Sequence, residues 1–173
     1  MRYRYAQKKD LPAIMTIIHQ AKCRLKAQGS DQWQDGYPNE EAIFNDINQK
    51  QGYVFIEKNE IIAYAAFVFT PDPYYTQIDG RWLTGDPYVV VHRIAVHDRF
   101  THRGIAKGIL QRAEQKAIKK GVNAFRIDTH HNNIFMRNLI RQNGFTLCGI
   151  VQVKDGKRLA YEKTLTSRYI KDN

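Results

Sequence analysis

The sequence is short of the residues that mark disulfide-rich, zinc-binding or membrane-spanning proteins. Its 173 residues include two cysteines, Cys23 and Cys148, which are too few and too far apart for a disulfide framework or a cysteine zinc site. There is no run of about 18 apolar residues, as a membrane-spanning helix requires. The segment Met1 to Tyr5 lacks the apolar core of a signal peptide. Together these absences predict a cytoplasmic protein.

Familiar nucleotide-binding and nucleic-acid-binding motifs are also absent. The chain contains neither Gly-x-x-x-x-Gly-Lys-Ser/Thr nor Gly-x-Gly-x-x-Gly, so it is not a P-loop protein and lacks the dinucleotide fingerprint. It has no helix-turn-helix, no RNP-type aromatic motif and no zinc finger. Only the positive charge supports the alternative of a basic nucleic-acid-binding protein. This alternative predicts an affinity for DNA or RNA that falls as salt is added.

What the sequence does contain is an ordinary globular composition with a strong positive charge. Hydrophobic residues make up 43% of the chain and the net charge is +10, which favours acidic or phosphorylated partners. The length predicts a single domain over residues 1–173, with a frayed tail from about 167 to 173. Positive charge is concentrated in four stretches: Lys22–Lys26, Arg99–Lys107, Lys116–Lys120 and Lys154–Arg158.

The stretch around Arg99–Lys107 is the one that falls between a strand and a helix. The β-branched run Val89–Val96 predicts a strand. A helix follows, because these apolar residues share one helical face: Ile105, Ile109, Leu110, Ala113, Ala117 and Ile118. A helix N-terminus presents unpaired amides and a positive dipole end, and Gly104 and Ala106 allow close approach to the backbone. We therefore predict a phosphate or pyrophosphate site here.

The remaining elements follow from periodicity, capping residues and turn residues. Helices are predicted from Leu11 to about Ala27 after an Asp10 cap, from Glu40 to about Lys50 after an Asn39 cap, and from Asn132 or Asn133 to Gly144. The inward residues of the second helix are Ile43, Phe44 and Ile47. Strands are predicted at Arg2–Ala6, Tyr53–Glu57, Ile61–Phe69, Ala124–Thr129, Phe145–Val153 and Arg158–Thr164. The segment Tyr74–Pro87 is ambiguous.

Thr101–Ala106 resembles the acetyl-CoA pyrophosphate motif of the GNAT superfamily of N-acetyltransferases. In that superfamily a strand ending in Leu/Ile-Ala-Val precedes Arg/Gln-x-x-Gly-x-Gly/Ala, and here Thr101 replaces the Arg or Gln. Asn133 and Gly144-Phe145 match the start and end of a second conserved helix, and the order β-α-α-β-β-β-α-β-α-β-β is that of the superfamily. A group of small bacterial acetyltransferases is similar in four further places: Gln32-Trp33, Tyr37-Pro38, His92-Arg93 and Asp128-Thr129-His130.

The resemblance, which covers about Arg4 to Lys163, implies a fold and an activity. The fold is α/β, with a mixed, mostly antiparallel twisted sheet of about seven strands flanked by about four helices. The activity is transfer of an acetyl group from acetyl-CoA to a primary amine of a small molecule or peptide, by direct attack in a ternary complex. It implies acetyl-CoA as co-substrate, no metal and a possible homodimer.

The resemblance also implies which residues hold coenzyme A. The central strand separates from its neighbour, so that backbone groups near Ile94 and Val96 bind the pantetheine arm, while Arg99, Arg103 and Lys107 add charge near the pyrophosphate. The implied cofactor-binding residues are Ile94, Ala95, Val96, Thr101, His102, Arg103, Gly104, Ile105, Ala106, Lys107, Asn133 and Met136. Asn133 has a second interpretation as a helix cap.

The catalytic residues are predicted less completely. His92 is the candidate general base, because it occupies a position where many superfamily members have glutamate and has an ordinary pKa of about 6.5. It can instead be a buried, hydrogen-bonded strand residue. His130 is the second candidate base, or a packing or capping residue. The superfamily's tyrosine acid corresponds to Ile140, so a CoA-binding sensor without turnover is an alternative function.

Aromatic and acidic residues offer candidates for the acceptor side. Trp33, Tyr37 and Trp82 either line an acceptor pocket or cover the core. Three acidic residues fall loosely near it: Asp79, Asp86 and Asp128. No metal site is predicted, because His92 and His97 are expected on opposite faces of a strand and the side chains of His130 and His131 are expected to diverge.

Overall fold

The computed structural model describes residues 1–85 and 87–166. Twelve principal elements follow one another along these residues: β1 (Arg2–Tyr5), α1 (Leu11–Ala27), α2 (Glu40–Asn48), β2 (Gly52–Glu57), β3 (Glu60–Val68), β4 (Ile78–Gly80), β5 (Tyr88–Val96), α3 (Ile105–Lys119), β6 (Ala124–Thr129), α4 (Ile134–Gln142), β7 (Thr146–Val153) and β8 (Gly156–Thr164). Short 3-10 turns lie at Lys8–Asp10, Pro73–Tyr75 and Asp98–Phe100. In the described part of the chain no helix is long and apolar enough to cross a membrane. The predicted tail from 167 lies outside the described residues.

The strands form one eight-stranded sheet in the order β1-β2-β3-β5-β6-β8-β7-β4. Neighbours β1–β2, β2–β3, β6–β8, β7–β8 and β4–β7 are antiparallel, and β5 pairs in parallel with β6 through Tyr88–Val90 and Ala124–Arg126. The predicted mixed, mostly antiparallel sheet is therefore confirmed, with one strand more than expected.

The additional strand is β4, inside the segment that the sequence left ambiguous. It pairs Ile78 with Val151 and Gly80 with Gly149. A Cβ on either glycine would lie 2.2 Å from a backbone oxygen of the opposite strand. The pairing requires glycine at both positions, and glycine adds no apolar side chain. This short strand therefore shows no alternating apolar pattern in the sequence.

The chain divides into two compact units, of which the first contains Met1–Phe67 and Val91–Ile109. Its core is formed by α1, α2 and the strands around them, and the buried apolar residues are Ala6, Ile14, Ile17, Ile18, Ala21, Ile43, Val54, Tyr64 and Ala95. The spacing of the α1 residues is helical, as predicted, and α1 ends at Ala27 before the left-handed Gly29, whose φ is 72°.

Asp10 does not cap α1 as predicted. Its side chain makes no cap hydrogen bond to that helix. The carboxylate instead accepts from the amide of Gln7 at 2.8 Å and from both terminal nitrogens of Arg4, at 2.7 and 3.0 Å. The reason is that the turn Lys8–Asp10 precedes the helix. The Asp10 carboxylate therefore bonds the amide of Gln7, at the start of that turn, and no amide of α1.

In α2 the prediction was correct for the Asn39 cap, which accepts from the amide of Ala42, and wrong for Phe44. Ile43 is fully buried, but Phe44 is 38% exposed, with the Lys8 ammonium 4.9 Å from its ring centre. The buried residue three positions after Ile43 is the charged Asp46, because an arginine partner compensates its charge inside the protein.

The second unit contains Val68–Val90 and the described residues from Leu110 onward. A core cluster there contains Tyr75, Tyr88, Val90, Ala124, Val151 and Ala160. The predicted hairpin around Asp155-Gly156 is present as β7 and β8, which pair from Thr146 with Glu162 to Val153 with Gly156. The glycines predicted after the helices, Gly121 and Gly144, have φ values of 72° and 82°.

Candidate functional site

The loop that joins β5 to α3 is exposed and turns sharply at two residues. His102 and Gly104 have left-handed φ values of 61° and 74°, and Arg103 between them is exposed. A Cβ built on Gly104 would meet no atom within 4 Å. The glycine is therefore required by the backbone conformation, and its outward side is open to a ligand.

The amides at the start of α3 follow this turn directly in the chain. The amide of Gly108 donates to the carbonyl of Gly104 at 3.0 Å. Within residues 1–85 and 87–166, the amides from Arg103 to Lys107 donate to no protein acceptor. A row of unpaired amides at the positive end of a helix suits an anion with several oxygens, such as a diphosphate.

The basic side chains around the turn are not equivalent. The guanidinium carbon of Arg103 lies 5.2 Å from the centre of the Phe100 ring, and Lys107 is exposed in the first turn of α3. Arg99 forms an ion pair with Glu60, so part of the charge that it was predicted to add is already compensated. Arg103 and Lys107 therefore carry most of the positive charge of the turn.

Two side chains of α1 hold the chain where it leaves β5. Arg24 donates to the carbonyl of Val96 at 2.8 Å and forms an ion pair with Asp98. Gln20 accepts from the amide of Asp98 at 3.0 Å. The carbonyl of Val96, predicted to face the pantetheine arm, thus already has one protein donor. Sequence reasoning missed this contact, because Gln20 and Arg24 resemble the other polar residues of an amphipathic helix.

β5 is interrupted in its middle by Arg93, whose φ of 57° is left-handed. The Arg93 guanidinium donates to both carboxylate oxygens of Asp46, at 2.7 and 2.6 Å, and also bonds the hydroxyl of Tyr37. Burial lowers the pKa of Arg93, but the oxygens of Tyr37 and Asp46 raise it more, so the group stays charged. His92, the candidate base, lies directly before this irregularity and is half-buried.

A comparison with protein families shows to which family the chain belongs. The model of the acetyltransferase (GNAT) family matches residues 17–145, which include β5, the turn before α3, and α4. This chain belongs to the GNAT acetyltransferase family. The family prediction made from Thr101–Ala106 and from the order of elements is confirmed.

Solved structures agree with this assignment. A GNAT-family acetyltransferase from Streptococcus agalactiae is 35% identical, with a TM-score of 0.86 and 94% of each chain covered. One from Listeria monocytogenes is 24% identical, with a TM-score of 0.75 over 95% of this chain and 94% of that one. PaiA N-acetyltransferase from Thermoplasma acidophilum, solved in complex with coenzyme A, is 19% identical, with a TM-score of 0.70 over 94% of this chain and 98% of that one. The last two show the shared fold alone. Comparison with curated protein sequences gave no match.

In this GNAT protein, Asn133 acts as a helix cap. Its side chain accepts from the amide of Met136 at 3.0 Å, and it is 8% exposed. Met136 is half-buried in the same turn. Ile140, at the position where the resemblance implies a tyrosine acid, is fully buried in the described structure. The position therefore contributes to packing and carries no group able to donate a proton.

The prediction that His130 and His131 diverge was wrong. Their ring centres are 4.4 Å apart, with 36° between the ring planes. Nδ1 of His130 accepts from the amide of Asn132 at 3.3 Å. The alternation of side chains holds only within a strand, and β6 ends at Thr129. Among the residues described, no group of three His, Cys, Asp or Glu side chains is arranged to hold a metal ion.

The aromatic residues considered for the acceptor side are held in place by packing and polar contacts. Trp33 packs against the core of the first unit, and Tyr37 is bonded to Arg93. In the second unit, the indole nitrogen of Trp82 donates to the carbonyl of Tyr75 at 3.0 Å, and the Tyr75 hydroxyl donates to Asp128 at 2.6 Å. Burial first, and then the Asp128 charge, raises the pKa of Tyr75 well above its ordinary value. Asp79 is exposed in β4, and Asp86 lies outside the described residues.

A buried carboxylate that the sequence did not single out fixes the loop after Trp82. Glu162 is fully buried and accepts from the amides of Leu83 and Thr84, at 2.9 and 3.1 Å, and from the Thr84 hydroxyl. Arg126 lies 3.5 Å from the same carboxylate, donates to the Thr84 carbonyl at 2.7 Å and covers the Trp82 ring at 4.4 Å. The only signal was a charged residue within a predicted strand.

Proposed function

We propose that this protein transfers an acetyl group from acetyl-CoA to a primary amine of a small molecule or peptide. The observation that carries the proposal is the row of unpaired amides from Arg103 to Lys107, in a chain of the GNAT acetyltransferase family. Support comes from the Thermoplasma acidophilum PaiA N-acetyltransferase, a structural neighbour that was solved with coenzyme A.

The residues of the turn suit the diphosphate of coenzyme A. The amides of His102–Ala106 surround it, with Thr101 at the start of the turn and the charges of Arg103 and Lys107 beside it. The backbone of Ile94, Ala95 and Val96 receives the pantetheine arm, and the resemblance implies the same ligand for Asn133 and Met136. Asn133 also caps α4, since its side-chain oxygen accepts from the amide of Met136.

The reaction requires a neutral amine and a polarised thioester. The amine nitrogen forms a bond to the acetyl carbon, the bond from that carbon to sulfur breaks, and the amine loses a proton. His92 is the proposed acceptor of that proton, directly or through water, with His130 as the second candidate. Because Ile140 stands where the resemblance implies a tyrosine acid, the thiolate takes its proton from another group or from water, or it leaves unprotonated. Holding both substrates together contributes up to about 7–11 kcal/mol to lowering the barrier.

The buried Ile140 favours one second function, a CoA-binding protein without turnover. The two functions differ in a single measurement, the release of free thiol from acetyl-CoA in the presence of amines. A sensor binds acetyl-CoA and releases no thiol above the background rate. An enzyme releases thiol in proportion to its concentration.

The test combines calorimetry with a thiol assay. We expect the wild-type protein to bind acetyl-CoA and to release thiol with at least one member of a panel of amino acids, polyamines, amino sugars and N-terminal peptides. His92→Gln should lower kcat more than tenfold and leave the Kd for CoA within twofold, while His130→Gln should have the smaller effect on kcat. Absence of CoA binding by the wild type would refute the proposal.

A further inference from the structure

The conformation of β5 at Arg93 is one that an arginine does not adopt without support. Its φ of 57° lies in the left-handed region, which a Cβ disfavours. Arg93 stands within Tyr88–Val96, where the backbone is otherwise extended. The residues that follow it directly, Ile94 to Val96, are those proposed to receive the pantetheine arm. Any force that holds the conformation of Arg93 therefore also sets the direction of these backbone groups.

The supporting contact is a buried, two-pronged ion pair with Asp46 of α2. Nε and Nη2 of Arg93 lie 2.7 and 2.6 Å from the two carboxylate oxygens, and the side chains of Arg93 and Asp46 are 12% and 3% exposed. Paired planar groups of this kind fix orientation as well as distance. By fixing the guanidinium, the pair also restrains the backbone of Arg93, to which that side chain is attached.

Asp46 is itself held rigidly. The hydroxyl of fully buried Tyr64 donates to it at 2.6 Å. A Cβ on Gly52 would lie 2.8 Å from that hydroxyl and 3.3 Å from the Cβ of Asp46, so the space around the carboxylate is filled. The remaining guanidinium nitrogen of Arg93 bonds Tyr37, which ties the loop before α2 to the same group.

We propose that Asp46 and Arg93 form a positioning pair for acyl-CoA: Asp46 holds Arg93 in its left-handed conformation, and this conformation directs the backbone of Ile94–Val96 toward the pantetheine arm. The proposal rests on the proposed function of the same strand. Neither side chain has to touch the reacting atoms. The pair acts through the backbone, so its loss affects acyl-CoA much more than the amine.

The chain provides a matched control in the pair Arg4–Asp10. That pair also lies in the first unit, joins the two carboxylate oxygens to two guanidinium nitrogens and includes a buried aspartate, which is 5% exposed. It is attached to the turn before α1 and contributes nothing to β5. The Arg4 side chain is 37% exposed, so Asp10→Asn reproduces the loss of a two-pronged contact to a buried aspartate without the loss of positioning.

The experiment measures the Kd for CoA by calorimetry, and the KM values for acetyl-CoA and for an active amine, at a temperature where circular dichroism shows each variant folded. Asp46→Asn should raise the Kd for CoA and the KM for acetyl-CoA at least tenfold and leave the KM for the amine within twofold. Asp10→Asn should leave all three within twofold. Arg93→Lys, which keeps the charge and loses the two-pronged contact, should raise the Kd at least threefold, and it decides the matter if Asp46→Asn does not fold.

Two results would overturn the positioning pair while leaving the proposed function intact. One is wild-type CoA affinity in Asp46→Asn or, if that variant is unfolded, in Arg93→Lys. The other is an equal loss of affinity in Asp46→Asn and Asp10→Asn, which would show a general effect of stability. A wild-type protein that binds no CoA would instead refute the proposed function and the positioning pair together.

Discussion

At the scale of single residues, Gly104 is the position where backbone conformation and ligand access coincide. Its φ is 74°, and no atom lies within 4 Å of the place that a Cβ would occupy. Gly121, at the other end of α3, has a φ of 72° and the same open surroundings. The two glycines therefore share a conformational requirement, and only Gly104 belongs to the proposed diphosphate site.

Gly104→Ala should raise the Kd for CoA about tenfold, whereas Gly121→Ala should leave it unchanged. Both variants should lose about 1–2 kcal/mol of unfolding free energy, because alanine disfavours the left-handed region. Calorimetry with CoA and urea unfolding measure the two effects separately. Equal CoA affinities of the two variants would show that the turn does not contact the ligand.

Asp10 gives a prediction about pH. Burial raises the pKa of its carboxyl, but the hydrogen bonds from Arg4 and from the amide of Gln7, with the charges of Arg4 and Lys9, lower it more, so its net pKa is below the ordinary value. A carboxyl with a lowered pKa stabilises the fold above its unfolded pKa, about 3.9, and this stability is lost as the pH falls through the folded pKa.

Asp10→Asn should therefore lose about 1–2 kcal/mol of unfolding free energy at pH 7 and show a shallower decrease below about pH 4 than the wild type. Urea unfolding from about pH 2.5 to 7 measures both, since this range spans the ordinary pKa of an aspartate. Parallel pH curves for the two proteins would contradict the assignment of the lowered pKa to Asp10.

Capping residues show how far sequence reasoning reaches at this scale. Asn39 was identified correctly, and Asn133 was one of the two candidates with Asn132, because each precedes an apolar helical pattern; both serve an amide three residues ahead. Asp10 has the same kind of sequence context, yet it bonds backward to Gln7 and across to Arg4. The choice depends on Arg4, which a local capping rule does not consider.

At the scale of elements, α1 supports the chain that leads from β5 to the proposed diphosphate site. Arg24 and Gln20 contact Val96 and Asp98, where the chain leaves β5. Burial lowers the pKa of Arg24. Support of this kind matters because a diphosphate site needs its amides fixed before the ligand arrives.

Arg24→Met should raise the Kd for CoA about three- to tenfold and cost about 1 kcal/mol of unfolding free energy. Lys26→Met is the control, since it removes a positive charge two residues further along the same helix from an exposed side chain. Calorimetry at two salt concentrations distinguishes local support from a loss of overall charge. Equal effects of the two substitutions would argue against a supporting role of Arg24.

The loop after Trp82 depends on the buried carboxylate of Glu162. Glu162→Gln should lower the unfolding free energy by about 3 kcal/mol, because it leaves the buried Arg126 without its ionic partner. Glu114→Gln is the matched control, since its 2.9 Å ion pair with Lys163 is partly exposed, and it should cost less than about 1 kcal/mol. A urea-unfolding cost below about 1 kcal/mol for both variants would show that Glu162 does not clamp the loop.

Most elements were predictable from the sequence, and the exceptions have physical causes. α1 and α3 bury regular apolar faces, and the hairpin of β7 and β8 turns at Asp155-Gly156. β4 was missed because its pairing rests on the close approach of Gly80 and Gly149. Phe44 was predicted to face inward because it is a large apolar residue next to Ile43. In the structure Phe44 is exposed and the charged Asp46 is buried.

At the scale of the whole molecule, the family could be predicted from the sequence, but the ion-pair networks could not. The motif that indicates the family, Thr101–Ala106, is contiguous, so it can be recognised within one stretch of sequence. Arg93 and Asp46 are 47 residues apart, and Leu83 and Glu162 are 79 apart. Such partners are brought together by the fold, and the sequence around one residue does not predict which distant residue it will pair with.

The measurement that tests the central claim most directly is a titration of the uniformly ¹⁵N-labelled protein with CoA, followed by amide NMR over the whole chain. The unpaired amides from Arg103 to Lys107 should show the largest shift changes, whereas the amide of Gly108, which already donates to Gly104, should move less. Saturating CoA that leaves the resonances of Arg103–Lys107 in place would contradict the account, whatever else in the spectrum changes.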